Sequence, residues 1–240
     1  MSEIFLTGDT HNSRELMKKF NSKNFKIKKE LTKDDVVIIL GDVGSLTWDR
    51  SKETLYNLKW LDNQPFTTLF IDGNHDNFNI LDNLPVKQLY GNEVGVLSDS
   101  VYHLKRGNIY EINGKTFLTI GGATSIDKEW RIPEISWWDR EVINNKEIEN
   151  TYRNLEKYNY KVDYILTHTI FDKVADLLIK GKVEKCPTAN FLKDIYNKVE
   201  FDKWVFGHFH IDSRRDFIML AEYASMFTCL YDEVVNIKNL

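Results

Sequence analysis

The chain has 240 residues and a formal net charge of −4, and its 42% hydrophobic and 28% charged residues are typical of a globular protein. Proteins that bind nucleic acid through its phosphates usually carry a basic excess, so nucleic acid is disfavoured as the main partner. Two isolated cysteines exclude a disulfide framework, and the lack of a signal peptide or of an apolar run of ~18 residues predicts a cytoplasmic protein without membrane contact.

Short apolar runs alternate with helix-like stretches in the first third of the chain. The runs at residues 4–7, 36–40 and 67–72 are rich in β-branched residues, as strands buried on both faces are. Residues 13–20 begin with a serine that could cap a helix. Residues 49–61 carry leucines at helical spacing. This order of elements predicts an α/β sheet.

The middle of the chain has a different pattern. Residues 101–104 and 109–112 are short alternating runs, and Asn113-Gly114 separates the second of them from a strand-like run at 116–120. Asn-Gly between such runs is a strong hairpin signal, so we expect this region to be antiparallel and to belong to a second sheet. Further on, the pattern predicts helices at 139–158, 171–180 and 187–199, strands at 164–167 and 204–206, and short strands with turns at 214–237.

Polar side chains follow five of the predicted strands, and glycine introduces four of these segments. Sites in open α/β sheets form beyond the carboxyl ends of the strands, where glycine lets the backbone turn tightly. Five of the six histidines lie in these segments, a clustering that scattered structural histidines would not produce. The polar residues are Asp9, His11, Asp42, Asn74, His75, Asp76, His168, His208 and His210.

The donor types indicate a metal centre. Carboxylate, imidazole and amide groups suit manganese, iron or zinc better than a thiolate site would. Two ions about 3.5–4 Å apart can clamp a phosphoryl group and lower the pKa of a shared water. We therefore expect two divalent metal ions, with manganese as the first choice and iron or zinc as alternatives.

The five segments, in order from residue 8 to residue 210, resemble the calcineurin-like metallophosphoesterase superfamily, in particular its bacterial and phage members. The resemblance implies a four-layer αββα sandwich, with two mixed β-sheets flanked by helices in one domain over residues 1–240. It also implies an order of metal ligands. In that order, Asp9, His11 and His210 bind one ion, Asn74, His168 and His208 bind the other, and Asp42 bridges both.

The same resemblance implies that His75 lies near the phosphate, as a general acid or as a stabiliser of transition-state charge. Asp76 would orient His75 through a hydrogen bond, and Asn74 would lie close to substrate as well. The segments after Asp42 and His75 lack the arginines of the protein Ser/Thr phosphatases, so we do not expect protein phosphatase activity.

Residues 121–138 provide the remaining candidates. Arg131 is the best single candidate for a contact with the substrate phosphate. Trp130, Trp137 and Trp138 could stack on a base or could pack the following helix onto the sheet, and the sequence leaves both interpretations open. His103 lies outside the five segments, and we expect it at a solvent-facing strand position.

These observations predict an enzyme that hydrolyses a phosphodiester or phosphomonoester, by attack of a hydroxide shared between two metal ions. A nucleotide or another small molecule is the expected substrate. One alternative is a manganese-dependent nuclease on single-stranded nucleic acid, which the tryptophans keep open despite the net acidity. A non-catalytic metal-binding scaffold is the other, although every predicted ligand is intact. The sequence does not indicate the oligomeric state.

Overall fold

The computed structural model of the protein describes residues 2–179, 186–216, 223 and 225–240. Its strands form two mixed sheets, one of seven strands and one of five. The first sheet contains β1 (Ile4–Thr7), β2 (Val36–Leu40), β3 (Thr67–Ile71), β4 (Val86–Leu89), β5 (Asn92–Ser98), β6 (Val101–Leu104) and β12 (Val235–Asn236). The second contains β7 (Ile109–Ile112), β8 (Lys115–Ile120), β9 (Lys161–Thr167), β10 (Glu200–Phe206) and β11 (Phe227–Cys229).

Helices flank both sheets. They are α1 (Ser13–Lys19), α2 (Lys52–Asp62), α3 (Phe78–Leu81), α4 (Asn145–Lys157), α5 (Asp172–Leu178), α6 (Pro187–Lys198) and α7 (Ser213–Asp216). Short 3-10 turns lie at Lys26–Glu30, Gly44–Leu46, Lys128–Trp130, Asp139–Glu141 and Ile237–Asn239. Within the part of the chain that the structure describes, no helix has the length and apolar character needed to cross a bilayer.

Three apolar clusters define the layers. Alternating side chains of β1 and β2, among them Leu6 and Ile38, pack between the two sheets against residues such as Leu166. The opposite face of the first sheet packs on α1 and α2, and the outer face of the second packs on α4, α5 and α6. Because the central strands are covered on both faces, they lack polar alternation. The four-layer αββα architecture predicted from the resemblance is confirmed.

The parallel strands bring their carboxyl ends to one edge. In the first sheet β1, β2, β3 and β6 run parallel to one another, and in the second β8, β9, β10 and β11 do the same. Each of the five predicted strands that precede a polar segment is present, and the hairpin of β7 and β8 pairs as predicted. The loops after β1, β2, β3, β9 and β10 are therefore positioned to meet.

Four sequence predictions need correction. The run at 101–104 is β6, which pairs with β3 and β5 in the first sheet and does not belong to the second. The predicted helix at 139–158 is divided, because Asn144 is extended and caps α4 in a reciprocal capping box with Glu147. Similarly, Asn12 rather than Ser13 caps α1. In the predicted tail, β11 and β12 are present, while residues 217–222 and 224 lie outside the described residues.

The fourth correction concerns His103, which is buried rather than facing solvent. Its Nε2 lies 3.0 Å from Oδ1 of Asp72, and its ring stacks on Phe70. The alternation of β6 suggests an exposed face, but β6 lies between β3 and β5, and Asp72 follows β3 beside it. The neighbouring strand supplies the partner that permits burial of this imidazole.

Candidate metal centre and active site

The loops after β1, β2, β3, β9 and β10 meet where the carboxyl ends of the two sheets approach each other. Nδ1 of His168, after β9, lies 2.7 Å from the carbonyl oxygen of Leu40, at the end of β2. The backbone N–H of His208, after β10, donates to Oδ1 of Asp9 over 3.0 Å. These two contacts connect the sheets at the predicted site.

Glycine is needed at the strand ends because the backbone approaches functional side chains closely. A Cβ atom on Gly73 would lie 2.1 Å from Oδ1 of Asp42. Gly41 has a φ of +95°, and a Cβ there would lie 2.3 Å from Nδ1 of His168. Either contact would displace a predicted metal ligand, so a larger residue cannot replace these glycines without distorting the site.

Three of the site residues themselves adopt the left-handed backbone conformation. The φ angles are 49° at Asp42, 68° at His208 and 55° at His210. Non-glycine residues rarely adopt positive φ, which is unfavourable and found most often at functional sites. The fold thus holds these side chains in orientations that the local backbone would not choose on its own.

Asp9, His11 and His210 form the first cluster of potential ligands. The two Nε2 atoms of the histidines lie 2.8 Å apart. Oδ2 of Asp9 lies 3.1 Å from Nε2 of His210 and 3.6 Å from Nε2 of His11. Ligand atoms bound at ~2.0–2.2 Å from one ion lie roughly 3–3.5 Å from each other, so the spacing fits a shared cation. Oδ2 of Asp9 is buried and has no hydrogen-bond partner among the described residues.

Asp9, Asp42 and His168 form the second cluster, and the amide of Asn74 lies beside it. Nε2 of His168 lies 3.5 Å from Oδ2 of Asp42 and 3.1 Å from Oδ1 of Asn74. Nδ1 of His168 faces a backbone carbonyl and donates to it, which leaves the lone pair of the neutral imidazole on Nε2. Nε2 of His168 therefore presents its lone pair within 3.5 Å of both oxygens.

The carboxylates of the second cluster are stabilised by protons on the neighbouring imidazoles. Burial opposes an imidazolium at His168, but the carboxylates of Asp42 and Asp9 outweigh it and raise the pKa of His168 to about 10. Conversely, burial would raise the pKa of Asp42, yet His168 and the neighbouring imidazoles hold that pKa well below its usual range. A bound cation would replace those protons, because metal ligands bind in their deprotonated form.

His208 lies at the same edge, but its ring belongs to neither cluster of the described residues. Its ring centroid is 5.0 Å from that of His168, in an edge-to-face arrangement. Burial lowers the pKa of His208 to about 4, so the ring is neutral at pH 7. A neutral imidazole is the form that binds a metal ion, and its role as a ligand stays a prediction.

His75 is positioned by Arg131 rather than by Asp76, contrary to the expectation from the resemblance. Nη1 of Arg131 lies 2.6 Å from Nδ1 of His75. Asp127 binds Nε and Nη2 of the same guanidinium at 2.7 and 2.8 Å and so fixes its direction. The carboxylate of Asp76 instead accepts from the Thr47 hydroxyl and from a backbone N–H.

A buried chain of hydrogen bonds that the sequence does not indicate holds the Asn74 amide. Nδ2 of Asn74 donates to Oγ of Ser125 over 3.1 Å, and that hydroxyl donates to Oε2 of Glu141 over 2.6 Å. The amide is thereby oriented with Oδ1 toward His168. Ser125 and Glu141 lie far from Asn74 in sequence, and only their capacity for hydrogen bonding could have marked them.

A pocket of about 390 Å³ opens beside the clusters and is lined by His11, Gly44, Trp48, His75, Asp127, Arg131 and Ser136. The structure thus places Arg131, the predicted phosphate contact, in the same pocket as His75. Trp138 packs in the core against Phe78 and does not line this pocket. Trp130 is 89% exposed. The pocket includes Trp48, which sequence reasoning did not single out.

At the strand ends of this αββα sandwich, clusters of carboxylates and imidazoles supply the donor groups of a candidate metal-dependent hydrolase site. The calcineurin-like phosphoesterase family matches residues 2–212, so the chain belongs to this family. Its members are phosphoesterase hydrolases, which confirms the predicted enzyme class, and they depend on metal ions, typically divalent ones. A comparison with curated proteins found no significant match.

Proposed function

We propose that the chain hydrolyses a phosphodiester or phosphomonoester of a nucleotide or another small molecule at a two-metal centre. The observation that carries this proposal is the convergence of nitrogen and oxygen donors from five strand ends, beside a pocket of small-molecule size. The proposed ligands are Asp9, His11, Asp42, Asn74, His168, His208 and His210, and the proposed ions are divalent, with manganese as the first choice.

The donor set fits such ions. Oδ2 of Asp9 is a buried carboxylate oxygen without a hydrogen bond, and the His11 and His210 nitrogens beside it offer lone pairs. Buried charges are usually paired with another charge or coordinate a metal. When bound, two divalent ions would supply charge neutralisation for the phosphoryl oxygens and activation of a water molecule.

Residues of the pocket would complete the reaction. Nη1 of Arg131 lies 2.6 Å from Nδ1 of His75, whereas Nη2 lies 3.4 Å from Nε2, so the shorter contact favours a neutral His75 that holds its proton on Nε2. In this tautomer His75 can hydrogen-bond through Nε2–H to the leaving-group oxygen and share that proton as negative charge develops there. Arg131 lies in the pocket wall, where its guanidinium would donate to a substrate phosphate, and the ion pair with Asp127 fixes its direction.

Turnover of p-nitrophenyl phosphate and of its bis ester, with and without added Mn²⁺, tests the proposal. We expect Mn²⁺-dependent release of p-nitrophenol from at least one of the two, and the preference would separate monoesterase from diesterase activity. Metal content is measured on the same sample. If the protein binds metal yet hydrolyses neither compound nor any member of a nucleotide panel, the scaffold alternative replaces the proposal.

A second candidate function is manganese-dependent cleavage of single-stranded nucleic acid. It is favoured by Trp130, whose 89% exposure leaves a large aromatic face available for base stacking near the pocket. Labelled single-stranded DNA and RNA incubated with the protein and Mn²⁺ test it. Cleavage that is lost in Trp130→Ala, while small phosphoesters are still hydrolysed, would support the nuclease.

A further inference from the structure

Trp48 is an exposed aromatic residue in the wall of the catalytic pocket. It lines the pocket together with His11, His75 and Arg131, and 51% of it is exposed. Large aromatic side chains contribute most to the stability of the fold when their rings are buried, as the ring of Trp138 is. A half-exposed indole beside proposed catalytic groups has surface available for a ligand.

The backbone of Trp48 is fixed relative to the site. Its N–H donates to the carbonyl of Gly44 over 2.7 Å, and its own carbonyl accepts from Nδ2 of Asn77 over 2.8 Å. The N–H of Ser45, in the same turn, donates to the carbonyl of His11 over 2.8 Å. The segment that carries the indole is therefore connected to a proposed metal ligand on one side and to the loop after β3 on the other.

Gly44 determines where the indole lies. A Cβ atom at Gly44 would be 3.7 Å from Cε3 of Trp48, so the ring packs along this glycine. The same Cβ would lie only 2.6 Å from the carbonyl oxygen of His11. Glycine thus lets the Trp48 turn pack against the His11 segment, which brings the indole close to the first cluster of ligands.

We propose that Trp48 forms a stacking surface for a planar aromatic group of the substrate. The substrate class is then a phosphoester that carries such a group within a short distance of its phosphate, as a nucleotide does. This inference rests on the proposed function and narrows it. The pocket combines an aromatic wall with the positive charge of Arg131, and its volume of about 390 Å³ suits a small molecule better than a protein segment.

A matched pair of ligands tests the proposal, since AMP and ribose 5-phosphate share the phosphate and the sugar and differ in the base. Dissociation constants are measured by calorimetry on the metal-loaded protein, or KM values where the ester is hydrolysed. We expect the wild type to prefer AMP by about 5- to 150-fold, the range that stacking of one base provides. Trp48→Ala should reduce this preference to about 1, whereas Trp48→Phe should retain part of it.

Tyr56→Ala is the matched control, because Tyr56 is an exposed aromatic residue that does not line the pocket. Its preference for AMP should equal that of the wild type. The proposal is overturned if the wild type shows no preference for AMP over ribose 5-phosphate, or if Trp48→Ala retains the wild-type preference. It is also overturned if Trp48→Ala lowers the affinity for both ligands equally. Absence of turnover would refute the proposed hydrolase function alone, since the binding ratio is measured without hydrolysis.

Discussion

Two buried clusters of carboxylates and imidazoles lie near the carboxyl end of β3, and they differ in how their charges are paired. In one of them, Asp72 has Oδ1 3.0 Å from Nε2 of His103 and Oδ2 2.7 Å from Nε of Arg106. Arg106 also donates to two backbone carbonyls and to Glu147. Burial would raise the pKa of Asp72, but Arg106 and His103 outweigh it and hold that pKa well below its usual range.

In the other cluster, the ion pairs of Asp9 and Asp42 among the described residues are all with histidine nitrogens, and none is with an arginine or lysine. Here nitrogens face nitrogens, as in the 2.8 Å contact between His11 and His210, and the neighbours of Oδ2 of Asp9 are the ring nitrogens of His210 and His11, at 3.1 and 3.6 Å. Both clusters are built from the same residue types. In the cluster around Asp72, the guanidinium of Arg106 is the cation. The cluster around Asp9 and Asp42 has the composition expected of a site completed by a metal ion.

The largest expected effect follows from removing the central carboxylate of the second cluster. Asp42→Asn should abolish measurable phosphoester turnover, because Oδ2 of Asp42 lies within 4.0 Å of ring nitrogens of His11, His75 and His168. Steady-state assays with Mn²⁺ measure the loss. Near-normal turnover in this variant would contradict the proposed bridging role.

Thermal unfolding extends the same comparison. Mn²⁺ at about 100 times its Kd should stabilise the wild type by about 2.7 kcal/mol, or roughly 5–11 °C in Tm for a chain of this size. Asp42→Asn should lose most of this increase. Asp72→Asn, the matched change in the structural cluster, should retain it even though its own Tm is lower. Loss of the increase in both variants would mean that the two clusters are not independent.

A smaller effect is expected from His75→Asn, since His75 is proposed to act on the substrate rather than to hold an ion. Turnover should fall by about 10²–10⁴-fold, as is usual when an acid–base group is removed. The Mn²⁺-dependent rise in Tm should remain. A variant that loses this rise would assign His75 to metal binding and remove its catalytic role.

Arg106→Met tests the structural cluster directly. It should lower the free energy of unfolding by about 3–5 kcal/mol, because the buried carboxylate of Asp72 loses its charged partner. Arg140→Met is the control: Arg140 also binds Glu147, but its side chain is 43% exposed, and we expect a loss of at most about 1 kcal/mol. Urea unfolding measures both. Equal losses would show that the burial of Arg106 does not matter.

The strand ends could be predicted because their signals are local. A buried strand, a glycine and a polar residue occur together in the sequence, and the carboxyl ends of parallel strands meet at one edge. The contacts that fix the side chains depend on tertiary structure instead. The partners of His103, Asn74 and His75 are 31, 51 and 56 positions away, at Asp72, Ser125 and Arg131.

The dependence on tertiary structure also explains why the sequence suggested a contact between Asp76 and His75 and did not indicate Trp48. Asp76 follows His75 directly, but its carboxylate bonds to Thr47 and to the N–H of Gly73. Burial and the charge of Asp42 raise the pKa of Asp76 to about 7, which further separates it from an ordinary orienting carboxylate. Whether a given tryptophan packs or faces a pocket depends on which layers cover it, and a single sequence does not contain that information.

The smallest predicted effect concerns the hydrogen-bond chain behind Asn74. Ser125→Ala removes the acceptor for Nδ2 of Asn74, so the amide loses its orientation, and metal affinity or turnover should fall by about 10–100-fold. Thr124→Ala is the neighbouring control, because the Thr124 hydroxyl has no hydrogen-bond partner among the described residues. Metal titration followed by turnover measures both variants. If Ser125→Ala behaves like Thr124→Ala, the orientation of Asn74 does not depend on the hydrogen bonds to Ser125 and Glu141. The ligands alone would then distinguish the cluster around Asp9 and Asp42 from the fully paired cluster around Asp72.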